Sequence, residues 1–447
     1  MKLLLIEPTR YLENRMLLKA TKLLFPSLTL ARLASLTPET METTIVIELF
    51  EDINFDETVD LVGITSYTTN IHRAYEVADE FRRRKIPVVM GGIHVSMEPE
   101  EALAHADTVI IGEAEDTWPQ FINEFRRGIH KRVYQAQERT SLTNLPLPRF
   151  SLIKKRAYLG YQYRDLSRFF MTPVFPIETA RGCPHSCAHC VVTRFFGGRY
   201  RLRPIDDVVN EIKTLGAKIC FFIDDNIFAN PARAKELFQA LIPLKILWVG
   251  MGPINAAADK ELIHLARKSG CSSLGIGLES LSHMSLDAIG KKTNKVEEYE
   301  QHLYAYRKEG ISAIVSMMFG FDEEGSEVFK ETYEFLMKNR VPFTSWWPLI
   351  PFPGTPLYQQ LKAQGRLKDE RWWLTPSWKI YSLRFTGTRM DEEVFCRNFY
   401  YYYQRFFSLG SITRRILLPP QQRFLFKTIV NLVFRKKLTN QATMYEH

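Results

Sequence analysis

Arg181-Gly-Cys-Pro-His-Ser-Cys-Ala-His-Cys190 sets Cys183, Cys187 and Cys190 in a C-x3-C-x2-C pattern just after a short mixed run, Pro173 to Ala180. Soft thiolate ligands select zinc or iron–sulfur clusters, and a closed structural zinc site takes a fourth Cys or His. His185 and His189 satisfy that count, so ligand number alone leaves zinc open. Both histidines lie between the cysteines, however, where a tight loop can hardly turn them and all three sulfurs onto one ion. A 4Fe-4S cubane is wider. Three sulfurs can hold three of its irons and leave the fourth open to a molecule that brings its own ligands. A disulfide pair with one spare thiol is the remaining reading.

Downstream of the cysteines, short apolar runs alternate with helical patterns. Strands are expected at Ile177 to Thr179, Lys218 to Ile223, Leu247 to Met251, Ser273 to Gly277, Ala313 to Phe319 and Ser345 to Leu349. Between the first two, Ile205, Val208, Val209, Ile212 and Leu215 recur at helical spacing over Pro204 to Leu215. Six such units suit a partial (β/α)6 barrel, whose chemistry sits at the carboxyl ends of the strands. Those ends carry Asp224-Asp225-Asn226, then Gly275-Ile-Gly-Leu-Glu-Ser280 with Gly277 and Glu279, then Gly320, then the proline-rich run Trp346 to Tyr358. Asn226 and Asn230 also read as helix N-caps, since Pro231 follows.

Upstream, Lys2 to Ile6, Thr44 to Leu49, Leu61 to Ser66, Pro87 to Met90 and Thr108 to Ile111 read as buried strands, interleaved with helices such as His72 to Arg84 and Pro99 to Ala104. That order predicts an α/β, doubly wound parallel sheet with its ligand crevice at the strand carboxyl ends. The ends are Ser66-Tyr67-Thr68, Gly91-Gly92-Ile93-His94 and Gly112-Glu113-Ala114-Glu115, where glycines let a backbone approach a large flat ligand. Leu145-Pro-Leu-Pro-Arg-Phe150 disfavours helix and marks a linker. Domains are accordingly expected at 1–140, 141–174 (linker, with Tyr158, Tyr161 and Tyr163), 175–360 and 361–447.

The cysteine loop, set after a first strand, resembles that of the radical S-adenosylmethionine (SAM) enzymes. The resemblance implies a 4Fe-4S cluster on Cys183, Cys187 and Cys190, with the amine and carboxylate of SAM on the open iron and reductive cleavage to a 5′-deoxyadenosyl radical. It implies SAM contacts from Asp224, Asp225 and Asn226, from Gly277, Glu279 (the ribose) and Ser280, and from Gly320 on the adenine side. The first domain resembles the cobalamin-binding domain of one radical-SAM class, which implies cobalamin near Ser66, Tyr67, Gly91, Gly92, Gly112 and Glu113. Pro353-Gly-Thr-Pro-Leu-Tyr358 matches a run of the same class, in which Trp346, Trp347 and Phe352 would exclude water and touch an apolar substrate. The class's D-x-H-x-x-G motif is missing, because Glu7-Pro-Thr-Arg-Tyr-Leu-Glu-Asn14 offers no histidine to cobalt. What the resemblance implies is methylation of an unactivated carbon on an apolar, lipid- or isoprenoid-like substrate, with flavodoxin or ferredoxin as electron donor. Two alternatives stand beside it: a radical-SAM catalyst of carbon–carbon coupling or ring formation without cobalamin, and a zinc protein that binds nucleic acid.

The 447 residues, 45% hydrophobic and 24% charged, suit two or three globular domains. Six cysteines, half of them in one loop, fit a reducing cytoplasm rather than a disulfide scaffold. Cys220, Cys271 and Cys396 read as buried thiols, and Met317 and Met318 as core. The opening Met-Lys-Leu-Leu-Leu-Ile-Glu-Pro reads as a first strand, and no run is long enough to span a membrane. The net charge of +9 gathers toward the C-terminus, where Arg397, Arg405, Arg414, Arg415, Arg423, Lys427, Arg435, Lys436 and Lys437 alternate with aromatic and aliphatic residues. Such a helical region either packs on the core or lies on an anionic membrane surface; the apolar residues are too continuous for nucleic-acid stacking.

Overall fold

Leu3, Leu4, Leu5 and Ile6 are at most 1% exposed, as expected of a strand covered on both faces of a parallel sheet. This strand, β1 (Lys2–Glu7), lies between β2 (Glu42–Ile47) and β3 (Leu61–Thr65) and pairs in parallel with both. β4 (Val88–Gly91), β5 (Thr108–Ile111) and β6 (Val133–Gln135) extend the sheet to the order β2-β1-β3-β4-β5-β6. The computed structural model describes residues 1–20, 26–154, 172–375 and 381–442, with backbone alone from 437. The tyrosines at 158, 161 and 163 lie outside the described residues. Strand β6 is absent from the sequence reading because Val133-Tyr-Gln135 is short and buries only Tyr134.

The second sheet is also six-stranded and parallel. β7 (Val174–Ile177) pairs with β10 (Ile219–Phe222), and β11 (Leu247–Met251), β12 (Cys271–Glu279), β13 (Ser312–Phe319) and β14 (Phe343–Pro348) follow in sequence order. β7 and β14 are the two edges, so the barrel is open. A short antiparallel ribbon, β8 (Ala180–Arg181) and β9 (Arg201–Leu202), carries the cysteine loop. β7 starts and ends earlier than the sequence suggests. Asp224 draws Thr179 out of the strand, accepting from its backbone N at 2.7 Å and from its hydroxyl.

The helix Ile205–Thr214 turns Val208 and Ile212 into the barrel core, as its periodicity requires. The helix Glu392–Phe406 buries Phe395, Phe399, Tyr403 and Phe406 against Phe319, Phe329 and Trp346. Each such ring contributes about 1.5–3 kcal/mol of burial. The aromatic face of this C-terminal helix is therefore used up by the barrel, and Met317 is core with it. Trp372 and Trp373 pack instead on the first domain, with Trp373 Nε1 donating to Glu101 at 3.0 Å. Among the described residues no helix is long and apolar enough to cross a membrane.

Candidate functional site

Parallel pairing puts every strand's carboxyl end on one edge, and this edge gathers the chemistry-bearing residues of the second sheet. The cysteine loop is stitched into it by backbone: Ala188 N donates to Ile289 O at 2.9 Å, and Ala188 O accepts from Leu357 N at 3.0 Å. The proline-rich run thus clamps the loop through Leu357, while Thr355 caps the helix Pro356–Ala363. Cys183, Cys187 and Cys190 are all half-buried and unpaired. Burial pushes the Cys190 thiol up to about 11, and charge on Cys187, Asp225 and Cys183 adds to it, so the three sulfurs and Asp225 share one neighbourhood. Among the described residues no three His, Cys, Asp or Glu side chains are grouped as a single-ion site. A donor set of three soft sulfurs on one loop, facing a cation at Lys291, suits an electron-rich iron–sulfur cluster.

At the end of β12, Glu279 adopts φ +69°, and the strand bulges between Gly277 and Glu279. Its carboxylate folds back over Gly277, where an added Cβ would lie 2.0 Å from Oε1 and displace the carboxylate from this position. Glu279 Oε1 meets Lys291 Nζ at 3.3 Å. Burial works against the Lys291 cation, but Glu279 and Cys187 more than offset it and hold its pKa above the usual value. Asn294 Nδ2 donates to both Gly277 O and Leu278 O at 2.9 Å. Lys291 and Asn294 escaped the sequence reading, because nothing in Gly290-Lys-Lys-Thr-Asn294 marks them as more than a solvated loop.

Asp225 is exposed at this edge, and desolvation raises its carboxyl to about 6, with the Gly182 backbone N–H acting in the opposite direction. Its two neighbours turn inward. Asp224 is 2% exposed and occupied by Thr179 and Ala180; Asn226 is 4% exposed and accepts from Phe228 N at 3.1 Å. Asn230, not Asn226, caps the next helix. Ser280 is fully buried and donates to Glu324 at 2.9 Å. Glu324, another residue the sequence did not single out, also accepts from Ser285 Oγ, Gly320 N and Phe321 N, which ties the ends of β12 and β13 together. Burial raises its carboxyl to about 7. Gly320 needs its φ of +95° for that turn, and an added Cβ would strike Leu383 at 2.4 Å. Trp346 is 1% exposed within the aromatic core, whereas Trp347 is 41% exposed, and Phe352 packs edge-on to Trp372.

The first sheet turns its own carboxyl edge toward the barrel. Between them lies a cavity of about 510 Å³ that Ser66, Tyr67, Gly91, Gly92, Gly112 and Glu113 all help to line. Gly92, at φ +106°, leaves room that a Cβ would fill 2.5 Å from Ser66 O. The buried Ser66 hydroxyl has no protein partner. A glycine-edged cradle with an orphaned donor fits a large cofactor such as cobalamin. Where the class has its histidine motif, Glu7 lines the cavity and accepts from Ser27 Oγ at 2.6 Å.

The two edges are joined by buried charge. Arg181, two residues before Cys183, reaches Glu178 at 2.7 Å in its own domain and, in the first domain, Glu113 at 2.7 Å and Glu115. Arg201 also meets Glu113, at 2.8 Å. Glu113 therefore lines the cavity while one of its oxygens holds the cysteine loop, and its other oxygen is buried without a protein partner.

Comparison with known proteins agrees with this geometry. A family model of the radical SAM superfamily matches residues 177–336, and one of the B12 binding domain matches residues 41–122. The chain is 31% identical to bacteriochlorophyllide d C-12(1)-methyltransferase of Chlorobaculum tepidum, over 85% of this chain and 82% of that one. It is 29% identical to the C-8(2)-methyltransferase of the same organism, over 93% and 92%. A radical SAM methyltransferase from Kitasatospora setae, solved with cobalamin and a [4Fe-4S] cluster, shares the fold at a TM-score of 0.63 and 18% identity, over 81% of this chain and 75% of that one.

Proposed function

Because the chain belongs to the radical SAM superfamily, in the class that carries a B12-binding domain ahead of the barrel, we propose that it methylates an unactivated carbon of a large apolar substrate. The observation that carries this reading is the cavity between the two carboxyl edges, walled by the glycine cradle on one side and on the other by Glu178 and Arg181, just ahead of the three cysteines. When bound, the cluster supplies the electron that cleaves SAM, and cobalamin supplies the methyl group. The protein's own part is to hold and to seal. Cys183, Cys187 and Cys190 anchor the cluster; Asp225 and Glu279 present carboxylates to the amine and ribose of SAM; Lys291 orients Glu279. Asp224, Asn226, Ser280 and Gly320 build the turns that aim those groups. Ser66, Gly91, Gly92 and Gly112 let the corrin approach the sheet edge, and Tyr67 lines the same cavity.

For the substrate, a chlorin-type ring has the stronger support, since the two bacteriochlorophyllide d methyltransferases match nearly end to end. A lipid is the second reading, favoured by the exposed Leu425, Phe426 and Leu432 of the C-terminal helix Phe424–Ala442, which would also give a membrane-surface contact. A flavodoxin or ferredoxin would deliver the electron. The test is anaerobic turnover of the cluster- and cobalamin-loaded protein with methyl-labelled SAM, offered a chlorin or a lipid extract. Labelled product together with 5′-deoxyadenosine supports the proposal. Deoxyadenosine without labelled product, and no spectral change on adding cobalamin, would favour carbon–carbon coupling or ring formation instead.

A further inference from the structure

On the opposite face of the barrel, at the amino ends of β13 and β14, lies a second cavity of about 180 Å³ lined by Gly310, Arg307, Arg340, Pro342, Gln421 and Lys427. Arg423 and Arg267 stand beside it: an added Cβ on Gly310 would be 3.3 Å from Arg267 Nε. Among the described residues these five cations meet no carboxylate, and the acceptors recorded for them are neutral. Arg307 Nη1 donates to Asn339 O at 2.7 Å, Arg340 Nε to Arg415 O at 3.3 Å, and Lys427 Nζ to Gln421 Oε1 at 2.8 Å. The nearby acids are engaged elsewhere, Glu309 with His264 and Glu300 with Lys338, both at 2.7 Å. The charges acting on Lys427 come from Arg423, Arg307 and Arg340, all of its own sign; burial and then these three push it down to about 8. Lys427 is only 6% exposed.

Gathering like charges around a buried ammonium is unfavourable unless something neutralises them. Guanidinium forks converging on a small cavity match the oxygens of a phosphate, which accept several charge-assisted hydrogen bonds at once. We propose that this pocket binds a phosphate group, either as a free anion or as the headgroup of an anionic lipid. Leu418 and Leu425, each 66% exposed on the flanking segments, are placed to meet acyl chains in the second case. The site lies away from the cysteine edge and does not depend on the reaction proposed above.

The test uses full-length, cluster-reconstituted protein. Its thermal midpoint is measured in potassium phosphate and in potassium chloride of equal ionic strength, and its flotation with vesicles of phosphatidylglycerol and of phosphatidylcholine. Phosphate is expected to raise the midpoint above chloride. An Arg307→Gln, Arg423→Gln double variant, with the repulsion relieved, should melt no lower than the parent in chloride, yet bind phosphate about tenfold more weakly or worse. A phosphate response without flotation identifies a free anion as ligand; flotation on phosphatidylglycerol alone, lost in the variant, identifies a headgroup. An equal response to phosphate in parent and variant, or none in either together with no variant-sensitive flotation, overturns the proposal.

Discussion

Replacing Arg181 by methionine removes the only cation among the described residues in direct contact with Glu115 and Glu178 while keeping the bulk of the side chain. Arg181 is 9% exposed, and its partners Glu113, Glu115 and Glu178 are buried with it. Breaking a buried network from one side leaves uncompensated charge, which costs about 3–5 kcal/mol. The pH dependence has a definite sign. Desolvation acts to raise the Glu115 carboxyl, but the charge and hydrogen bond of Arg181 overcome it and hold the pKa below the ordinary value. In the parent, Glu115 therefore stabilises the fold above the ordinary carboxylate range and loses that contribution as pH falls through its native pKa. In the variant desolvation, the largest influence, is opposed only by a backbone hydrogen bond and the charge of Arg32, so the native pKa rises and the stability conferred by the ionised carboxylate is lost. The deficit of the variant should be largest near pH 8.5 and shrink toward pH 6. Urea unfolding of anaerobically reconstituted protein, followed by circular dichroism at both pH values, measures it. A loss below about 1 kcal/mol at the higher pH, the range of an exposed ion pair, or a deficit that grows as pH falls, would refute this account of the interdomain contact.

Alanine at any of Cys183, Cys187 or Cys190 should abolish both the brown chromophore of the reconstituted protein and its 5′-deoxyadenosine, and a variant that keeps either contradicts the assigned ligands. Gly92→Ala forces a Cβ to within 2.5 Å of Ser66 O at φ +106°, a strain of about 1–3 kcal/mol; cobalamin titration followed by absorbance should weaken about tenfold or more, while the cluster spectrum stays intact. Glu324 has its native pKa raised to about 7 by burial, so the stability it confers is full below its unfolded pKa and lost as pH rises through 7. Glu324→Gln should flatten the fall in stability between pH 5 and 8 by as much as about 1.4 kcal/mol per pH unit, and identical slopes in parent and variant would mean that the carboxyl ionises freely.

Both sheets were legible because each strand buries an apolar run and each glycine-rich or acidic segment falls just past such a run; in parallel sheets that position is also the ligand edge. Cys183, Cys187 and Cys190 stood out for a similar reason, since spacing within one loop is local. What the sequence did not reveal is the second half of each contact. Glu324 looks like one acid in a surface turn, Phe321-Asp-Glu-Glu-Gly325, and becomes a buried tie only because β12 and β13 end side by side. Asp224 and Asp225 both read as SAM contacts, with Asp225 the stronger candidate; Asp224 rotates into the β7 turn and Asp225 stays in the mouth, a difference set by the geometry at Thr179. The basic, aromatic tail left core packing and a membrane surface equally open. The structure spends Phe395, Phe399, Tyr403 and Phe406 on the barrel and buries Arg415 under carbonyls of Val341 and Phe406.

The placement of Arg181 explains why the two domains meet as they do. A B12-binding domain and a radical SAM barrel in one chain turn their carboxyl edges toward a shared cavity. Apolar contact alone would permit sliding, because it has no direction. A guanidinium fork set two residues before the first cluster cysteine, and bonded to the carboxylates that follow the last glycine of the cradle, fixes direction as well as distance. The same contact takes one Glu113 oxygen out of the cavity and leaves the other at its wall. The two carboxyl edges are thus joined by a direct ion pair between residues 68 apart in the chain.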